Sequence, residues 1–534
     1  EVGKSYGFYA NDEWKIRRRL SLSLGLRYDY QQQPYERRCG TSTFDPFDVN
    51  PLNGLKGRTK YACVDYGRAF SEDDKNDIAP RIGFSWDVFG NQQTVLRGGY
   101  GIFYSALFTY YNGNYESTNG FASTSTAYNP PNGNGLLTAF QLQNGFPTAP
   151  NQPQGAKLGA NLFATSGSSL KEQISRTPMS QQWNLSLQQQ LPGGFLVEVA
   201  YSANHGTHLV AGDYDLNQAD PALIRQFGLA GQLTNSVPNP FAGKVPGAFG
   251  GATIQQSQAL RPYPYVGAIT ARAPHLGNSS YHALLASAEK RFSKGFTMLA
   301  SYTFAKLISD SIFNPLNFVG TEGGNEYGYQ NGLYNRRAER AEDPSNVPHR
   351  LALSGLFELP VGKGRRVNVE NRFLDAVVGG WQLNTITTIV AGTPLVVRGA
   401  NNGLANRPDW VGGLELPSGF TDPNPQSGAL WFNTAAFINP ALYTFGNAPR
   451  AISQFSNPGA VIVDLSVFKT FRLAEKVSLQ FRAEAFNAPN HVNLGFPNTS
   501  FNPGPDGLNR SDTFGRITSS RDPRQMQFGL KLIY

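Results

Sequence analysis

Residues 524–534 read RQMQFGLKLIY, and this stretch sets the pattern for the rest of the chain. Met526, Phe528, Leu530, Leu532 and Tyr534 alternate with Gln525, Gln527, Gly529, Lys531 and Ile533. Successive side chains of a strand point to opposite faces, so one face here is apolar and the other polar apart from Ile533. The last strand of a soluble β-domain shows the same alternation, so the period predicts a strand without fixing what surrounds it. A second stretch repeats it more cleanly. Leu20, Leu22, Leu24, Leu26, Tyr28 and Tyr30 alternate with Ser21, Ser23, Gly25, Arg27 and Asp29, and the apolar row ends in tyrosines, as at a membrane interface.

Composition narrows the surroundings. The 534 residues include 57 Gly, 24 Tyr and 36 Phe, with 16% charged residues, 2 Cys and 3 Met. Glycine and aromatic enrichment with few charges suits strands that face lipid and turn sharply. Length alone admits several ordinary domains or one large barrel. Mean hydropathy is −0.35, and the sequence lacks the apolar run of about 18 residues that a membrane helix needs, so any crossing is made by strands. The formal charge of +8 and a pI near 9.2 invite a nucleic-acid reading. That reading needs a basic face with aromatic stacking platforms or a groove-reading motif, and neither is present. The basic runs Arg17–Arg19 and Lys363–Arg366 fall in strand connections and read as solvated turns.

Taken in order, strands are predicted over Tyr6–Ile16 and Leu20–Tyr30, followed by a polar loop to about Ala79. The row Ile82, Phe84, Trp86, Val88 and the row Leu96, Tyr100, Ile102, Tyr104 form a hairpin turned at Gly90–Gln93. An Asn, Gly, Pro and Ser-rich stretch to about Ser180 is too polar for a core of its own. Trp183–Leu191 then pairs with Phe195–Ala203 across Pro192–Gly194, with Phe195, Val197, Val199 and Tyr201 outward. After a second polar stretch come Tyr281–Phe292 with Phe296–Lys306, His349–Leu359 with Trp381–Ala391, and Val461–Leu473 with Val477–Phe486, turned at Ala474–Lys476. Tight turns and long connections alternate, as in outer-membrane barrels with short periplasmic turns and long extracellular loops. The expected fold is all-β: an antiparallel transmembrane β-barrel of the outer-membrane type, occupying residues 1–534 as one partial domain.

Gln527, Gly529, Leu532 and the aromatic Tyr534 at the end of the chain resemble the signal by which the barrel assembly machinery recognises its clients. Five longer runs resemble the barrel of Oar-like TonB-dependent receptors of the acidobacterial type. They are DPSNVPHRLALSG (343–355), GGWQLNTITTIVAGTP (379–394), WFNTAAFINPALYTFGNAPR (431–450), FRAEAFNAPNHVNLGFP (481–497) and PRQMQFGLKLIY (523–534). The resemblance implies an outer-membrane protein with a carboxypeptidase-regulatory-like domain, a lumen plug and a large barrel, energised through TonB and its inner-membrane partners. It implies contact with outer-membrane lipid and lipopolysaccharide, and an unknown substrate. Neither a plug nor a TonB-contacting segment is evident in the chain, and no secretory signal is seen near Glu1, so a longer precursor is expected.

The chemistry carried by single residues is modest. No nucleophile elbow, Walker loop or zinc motif is present, no cofactor is called for, and no enzyme hypothesis survives the inventory. Arg27, Glu198, Glu289, Arg291, Glu358, Arg482 and Glu484 are predicted on the lumen face, with Glu289 beside Arg291 and Arg482 beside Glu484 as salt bridges or plug contacts. Gly98, Gly99 and Gly101 lie within a strand, where glycine permits a bend or close approach of a plug. His205 and His208 in HGTH lack further ligands for a metal. Glu72, Asp73, Asp74 and Asp77 lack the spacing and glycine of an EF-hand and read as a solvated loop. Cys39 and Cys63, the only cysteines, share one predicted extracellular loop and are expected to form a disulfide.

Three functions fit these features: energised uptake by a TonB-dependent receptor, a passive porin, or a surface adhesion or secretion-linked barrel. The thirteen or so strands begin with one running toward the periplasm, whereas a complete barrel with both ends inside has an even number. The count predicts an odd number of further strands upstream, about nine for a plugged barrel of 22. It also predicts an open or strained sheet, or a small barrel, whose first and last strands leave edges unpaired.

Overall fold

The computed structural model describes residues 3–33, 35, 37–69, 71–105, 120–121, 138–146, 149, 151–160, 168–169, 176–271, 274–311, 330–413, 415, 429–474 and 477–534. Most of the Asn and Gly-rich stretch before Ser180, and Glu475 and Lys476 of the predicted turn, lie outside them. One antiparallel sheet dominates. Its strands are β1 (Ser5–Arg17), β2 (Leu20–Gln31), β3 (Asp77–Asp87), β4 (Thr94–Tyr104), β5 (Met179–Leu191), β6 (Phe195–Leu209) and β7 (Gly277–Ser293). They continue as β8 (Phe296–Ser309), β9 (His349–Glu358), β10 (Trp381–Val390), β11 (Ala460–Arg472), β12 (Ser478–Phe486) and β13 (Gln525–Ile533). Each pairs with the next in chain order, and the two-residue strand Ala341–Glu342 adds to β8. The central strands are longer than the alternation suggested. β6 continues through the HGTH segment to Leu209, where Gly277 pairs with it.

Register turns the period-two rows into one surface. Trp14, Leu22, Phe84, Gly98, Leu185 and Tyr201 follow one another across β1 to β6. The row continues through Leu284, Phe304 and His349. On the same face, toward the β13 edge, Val467, Ala483 and Phe528 are in step with Leu383. Leu26 (54%), Tyr201 (40%) and Phe528 (69%) are exposed, so the apolar face is not a covered core. An apolar surface of this extent is costly in water and matches hydrocarbon. Asp12 also lies on it, opposite Leu24, and nothing in the structure explains a carboxylate there. Toward the outer end, the hydroxyls of Tyr201 and Tyr302 share hydrogen bonds of 2.7 and 2.8 Å with Nδ1 of His282 and His349, on the same face. These rings belong to the aromatic girdle at which polar tips meet the headgroups.

The sheet does not close. Among the described residues, β1 pairs only with β2 and β13 only with β12, and both edge strands are exposed along their whole length.

The long connections fold into bodies of their own. Phe432, Phe437, Phe501, Phe514, Leu395 and Ile452 form one core, drawn from the β10–β11 and β12–β13 connections. Phe44, Val245, Tyr265, Val266 and Ile269 form another, from the β2–β3 and β6–β7 connections. In the second, the Phe44 ring lies where a Cβ on Gly57 would fall 2.4 Å from it, and Gly57 has a φ of +90°. Tyr263 and Tyr265 donate to the carbonyls of Pro46 and Lys56 at 3.0 and 2.5 Å, joining the two connections. The polar stretch before β7 therefore carries packed structure, with each buried aromatic contributing about 1.5–3 kcal/mol.

Candidate functional site

Two of the outer connections are locked together by buried charge. Glu339 and Arg407 are 1% and 8% exposed, and the guanidinium meets the carboxylate in a two-point contact at 2.8 and 3.2 Å. Glu339 Oε1 also accepts the backbone N–H of Gln330 at 2.9 Å. Arg450, at the end of the run WFNTAAFINPALYTFGNAPR, donates to the carbonyl oxygens of Ser309 and Ser311 at 2.8 Å each and to that of Glu339 at 3.1 Å. The β8–β9 connection is thus fastened to the β10–β11 connection. A fork of donors is what a carboxylate and several carbonyls require, and lysine could not supply it.

Beside this clamp, a cleft of about 670 Å³ opens between the β6–β7 and β10–β11 connections. Gln218, Ser236, Gln255 and Arg261 supply polar groups, Ile224 and Phe249 apolar surface, and Gly403 and Leu404 the facing wall. Helix Pro221–Leu229 forms one side, its N-terminus capped by Asp220, which accepts the N–H of Ala222 at 2.8 Å. Arg261 Nη1 is held 3.0 Å from Asp215 Oδ2, while Asp215 Oδ1 accepts the N–H groups of Asn217 and Ile269 at 2.8 Å each. The Tyr443 ring lies so close to Gly228 and Gly403 that a Cβ on either would meet it at 2.4 and 2.7 Å. Glycine at 228 lets the β6–β7 connection rest against Tyr443, and glycine at 403 lets the β10–β11 connection fold against its own ring.

The residues singled out from the sequence are dispersed. Arg27 pairs with Asp29 at 2.7 Å, two residues along its own strand. Glu198 lies opposite Ser287 and Gln188 on the polar face. Glu289 and Arg291 stand 3.8 Å apart in the open. Arg482 and Glu484 do not pair with each other. Arg482 stacks 4.9 Å from the Phe468 ring and donates to Gln480 Oε1 at 2.7 Å, while Glu484 accepts from Gln527. Glu358 meets Gln382 at 3.1 Å and Arg365 at 3.2 Å, tying it to the periplasmic connection. Gly98 faces outward, making room for the Phe84 ring, which a Cβ would meet at 2.5 Å; this differs from a plug contact. In the terminal stretch, Gln527 lies opposite Glu484, Gly529 opposite Arg482 and Leu532 opposite Leu479, with Tyr534 following β13 and almost wholly exposed.

His205 shares a 3.2 Å contact with Ser280 Oγ. In the acidic run, Asp73 accepts from Tyr30 (2.6 Å) and the N–H of Gln33 (2.8 Å), and Asp74 from the N–H of Thr177 (3.1 Å). The loop is pinned to the wall, with Asp74 and Asp77 buried rather than solvated. Among the described residues, no group of three or more His, Cys, Asp or Glu side chains could hold a metal. Cys39 and Cys63 are joined by a disulfide, Cα atoms 5.8 Å apart, at the base of the hairpin formed by Ser42–Val49 and Lys56–Tyr61. Sequence reading missed Arg407, Glu339 and the cleft. The visible signal was weak: Glu339 stands in the charged run RRAERAED (336–343), and Arg407 follows the Asn-rich segment ANNGLAN (400–406).

The family described as outer membrane beta barrel domain matches residues 1–527. The chain belongs to that family. The barrel domain therefore resides in the outer membrane, which accounts for an apolar face that water would not tolerate. Solved structures with a similar course include the ferripyoverdine receptor of the outer membrane of Pseudomonas aeruginosa, 11% identical, covering 99% of this chain and 38% of that one, TM-score 0.40. Others are the outer membrane transporter YddB from Escherichia coli (10% identical, 99% and 53%, TM-score 0.40) and the ferric-catecholate import receptor Fiu from Escherichia coli K12 (11%, 99% and 44%, TM-score 0.37). The barrel domain spans between about two fifths and half the length of these chains. No curated protein matches it by sequence.

Proposed function

We propose that this barrel domain is the wall and outer-loop assembly of a TonB-dependent receptor of the Oar-like type, which binds a ligand at the cell surface and passes it inward with energy from TonB. The observation that carries the reading is the polar cleft of about 670 Å³ held between two folded outer connections. A passive pore has no need of loops braced by a buried Arg407–Glu339 pair, because it needs only an open path. The cleft wall offers amides, hydroxyls and the Arg261 guanidinium, which suits a polar ligand with acceptor oxygens, over the apolar patch of Ile224 and Phe249. In this reading a plug engages TonB, lipopolysaccharide and lipid surround the apolar band, the assembly machinery reads Gln527 to Tyr534, and further strands complete the open edges of β1 and β13. Backbone groups cannot be left unpaired in hydrocarbon.

The experiment is conductance of the intact protein in planar bilayers, paired with ligand capture. A plugged receptor is expected to give no steady conductance until denaturant loosens the plug, and to retain a bound solute that Arg261→Ala releases. A constant open conductance without denaturant would replace this reading with the porin. Retention of the same solute by a variant lacking the cleft would remove the assigned site.

A further inference from the structure

The β9–β10 connection, residues 359–380, lies on the side of the tight turns and is the long exception among them. It is a built element. Asn371 Oδ1 accepts the N–H groups of Phe373 and Leu374 at 2.9 and 3.1 Å, capping the helix Arg372–Val378. Asp375 Oδ1 accepts the N–H of Lys363 at 2.7 Å, with Gly362 and Gly379 so close that a Cβ on either would meet that oxygen at 2.9 and 2.4 Å. Yet the helix leaves its apolar side chains outside: Phe373 is 85% exposed, Leu374 55% and Val377 66%. At positions i, i+1 and i+4 they share one side of the helix.

The end of this helix is fastened to the lipid-facing side of the wall. Lys469 lies opposite both Trp381 and Phe481, in the row of Val467 and Phe471, so register places a cation on the apolar face. Its Nζ donates to the carbonyls of Val377 and Gly379 at 2.9 and 2.7 Å, and Trp381 Nε1 donates to the same Val377 oxygen at 2.8 Å. Lys469 is only 3% exposed and lies 5.0 Å from the Trp381 ring centroid and 5.2 Å from that of Phe471. Lysines on a lipid-facing surface reach toward the headgroup level, and Lys469 reaches the last carbonyls of a helix. Lys290 marks a similar level two strand pairs away. It lies outward between the Phe195 and Phe296 rings (5.5 and 5.8 Å), bonded to Ser293 Oγ at 2.6 Å beside the β7–β8 turn. Around the helix, Lys363, Arg366 and Arg372 are exposed against one exposed carboxylate, Glu370, while Arg365 is held by Glu358, so the flank is net positive.

We infer that the helix Arg372–Val378 lies in the plane of the periplasmic leaflet, with Phe373, Leu374 and Val377 at the acyl boundary and Lys363, Arg366 and Arg372 on the phosphates of anionic phospholipid. The occupant follows from continuity: the exposed side chains extend the apolar band from the row in which Lys469 and Trp381 stand, and the flanking charges match an anionic surface. The inference rests on the membrane location and is independent of what, if anything, is transported.

The test labels Phe373→Cys with bimane in the intact protein, reconstituted into phosphatidylethanolamine and phosphatidylglycerol vesicles carrying nitroxides near the headgroups. Cys39 and Cys63 are bonded to each other, so within residues 1–534 the added thiol is the one that reacts, and the unsubstituted protein labelled in parallel gives the background. Asn91→Cys in the β3–β4 turn is the reference. The label at 373 is expected to lose most of its fluorescence and shift to the blue, the label at 91 to change little, and Leu374→Ser with Val377→Ser to abolish the difference while heat-modifiable gel mobility shows a folded sheet. Weaker quenching is expected when phosphatidylglycerol is omitted, and no change on omission would overturn the anionic contact. Equal, weak quenching at 373 and 91 would overturn the inference. So would a label that is open in vesicles but shielded in native membranes, because a periplasmic protein would then be the cover.

Discussion

Arg407 Nη1 lies 2.8 Å from Glu339 Oε2 across two connections that are far apart in sequence, and the pair is almost sealed from solvent. Removing one partner leaves the other as an uncompensated buried charge, at a cost of about 3–5 kcal/mol, whereas replacing both with apolar groups of similar volume costs much less. Arg407→Met is therefore expected to raise amide exchange through residues 330–345, 400–413 and 429–450, and Glu339→Leu with Arg407→Met to restore much of the protection. Gel mobility of the folded sheet should stay unchanged in both. Equal exchange in the single and double variants would show that the pair does not hold the loops together.

The outer connections also carry an acid-sensitive point. Burial, and then the nearby His208, push His275 down to about 4. The unfolded segment takes up a proton near the ordinary histidine value of about 6.5, and the folded one only near 4. The stability present above about 6.5 is thus lost as pH falls toward 4, by up to about 3 kcal/mol. Protease cleavage within 210–276 is expected to rise over that window and His275→Gln to flatten the rise. A pH-independent cleavage rate in the parent protein would contradict it.

Leu24, 40% exposed, lies opposite Ile82 on the apolar face of β2. Leu24→Lys is expected to destabilise the inserted sheet by about 2–4 kcal/mol if it sits at mid-bilayer, and by much less near an interface. Folding into vesicles, followed by the shift between heated and unheated gel samples, reads the loss. Ser23→Lys, on the opposite face, should cost little.

Reduction of Cys39–Cys63 opens a loop with a sequence separation of 24, worth about 3 kcal/mol in the chain-entropy account. Because Phe44 and Tyr61 are buried beside it, proteolysis between Ser42 and Tyr61 is expected to accelerate with reductant and in Cys39→Ser with Cys63→Ser. Alkylation without reductant should label neither thiol.

The wall was legible because a strand half in lipid must alternate, so the sequence of β2 states which side each residue faces. All thirteen strands in the main path correspond to predicted ones, with differences at their ends such as β6 past Ala203. The outer loops were not legible in that way. Phe432, Phe501 and Phe514 come from different parts of the chain and follow no period, so nothing local marks them as neighbours. Spacing also misled at Arg482 and Glu484. Two residues apart on one face they share a direction, but Phe468 and Gln527 on the adjoining strands took them. Lys469 was not singled out, although it is the cation that follows Val461, Val463, Leu465 and Val467 in their row, and nothing local marks its partners at Val377 and Gly379.

The disulfide on the outer side orders events in time. Thiols are oxidised in the periplasm, where the enzymes and quinone-linked electron flow reside, yet Cys39 and Cys63 end up beyond the far surface of the membrane. A hairpin closed there crosses the membrane as a doubled chain with Phe44 and Tyr61 in tow, which asks for a gate wider than a single thread of polypeptide.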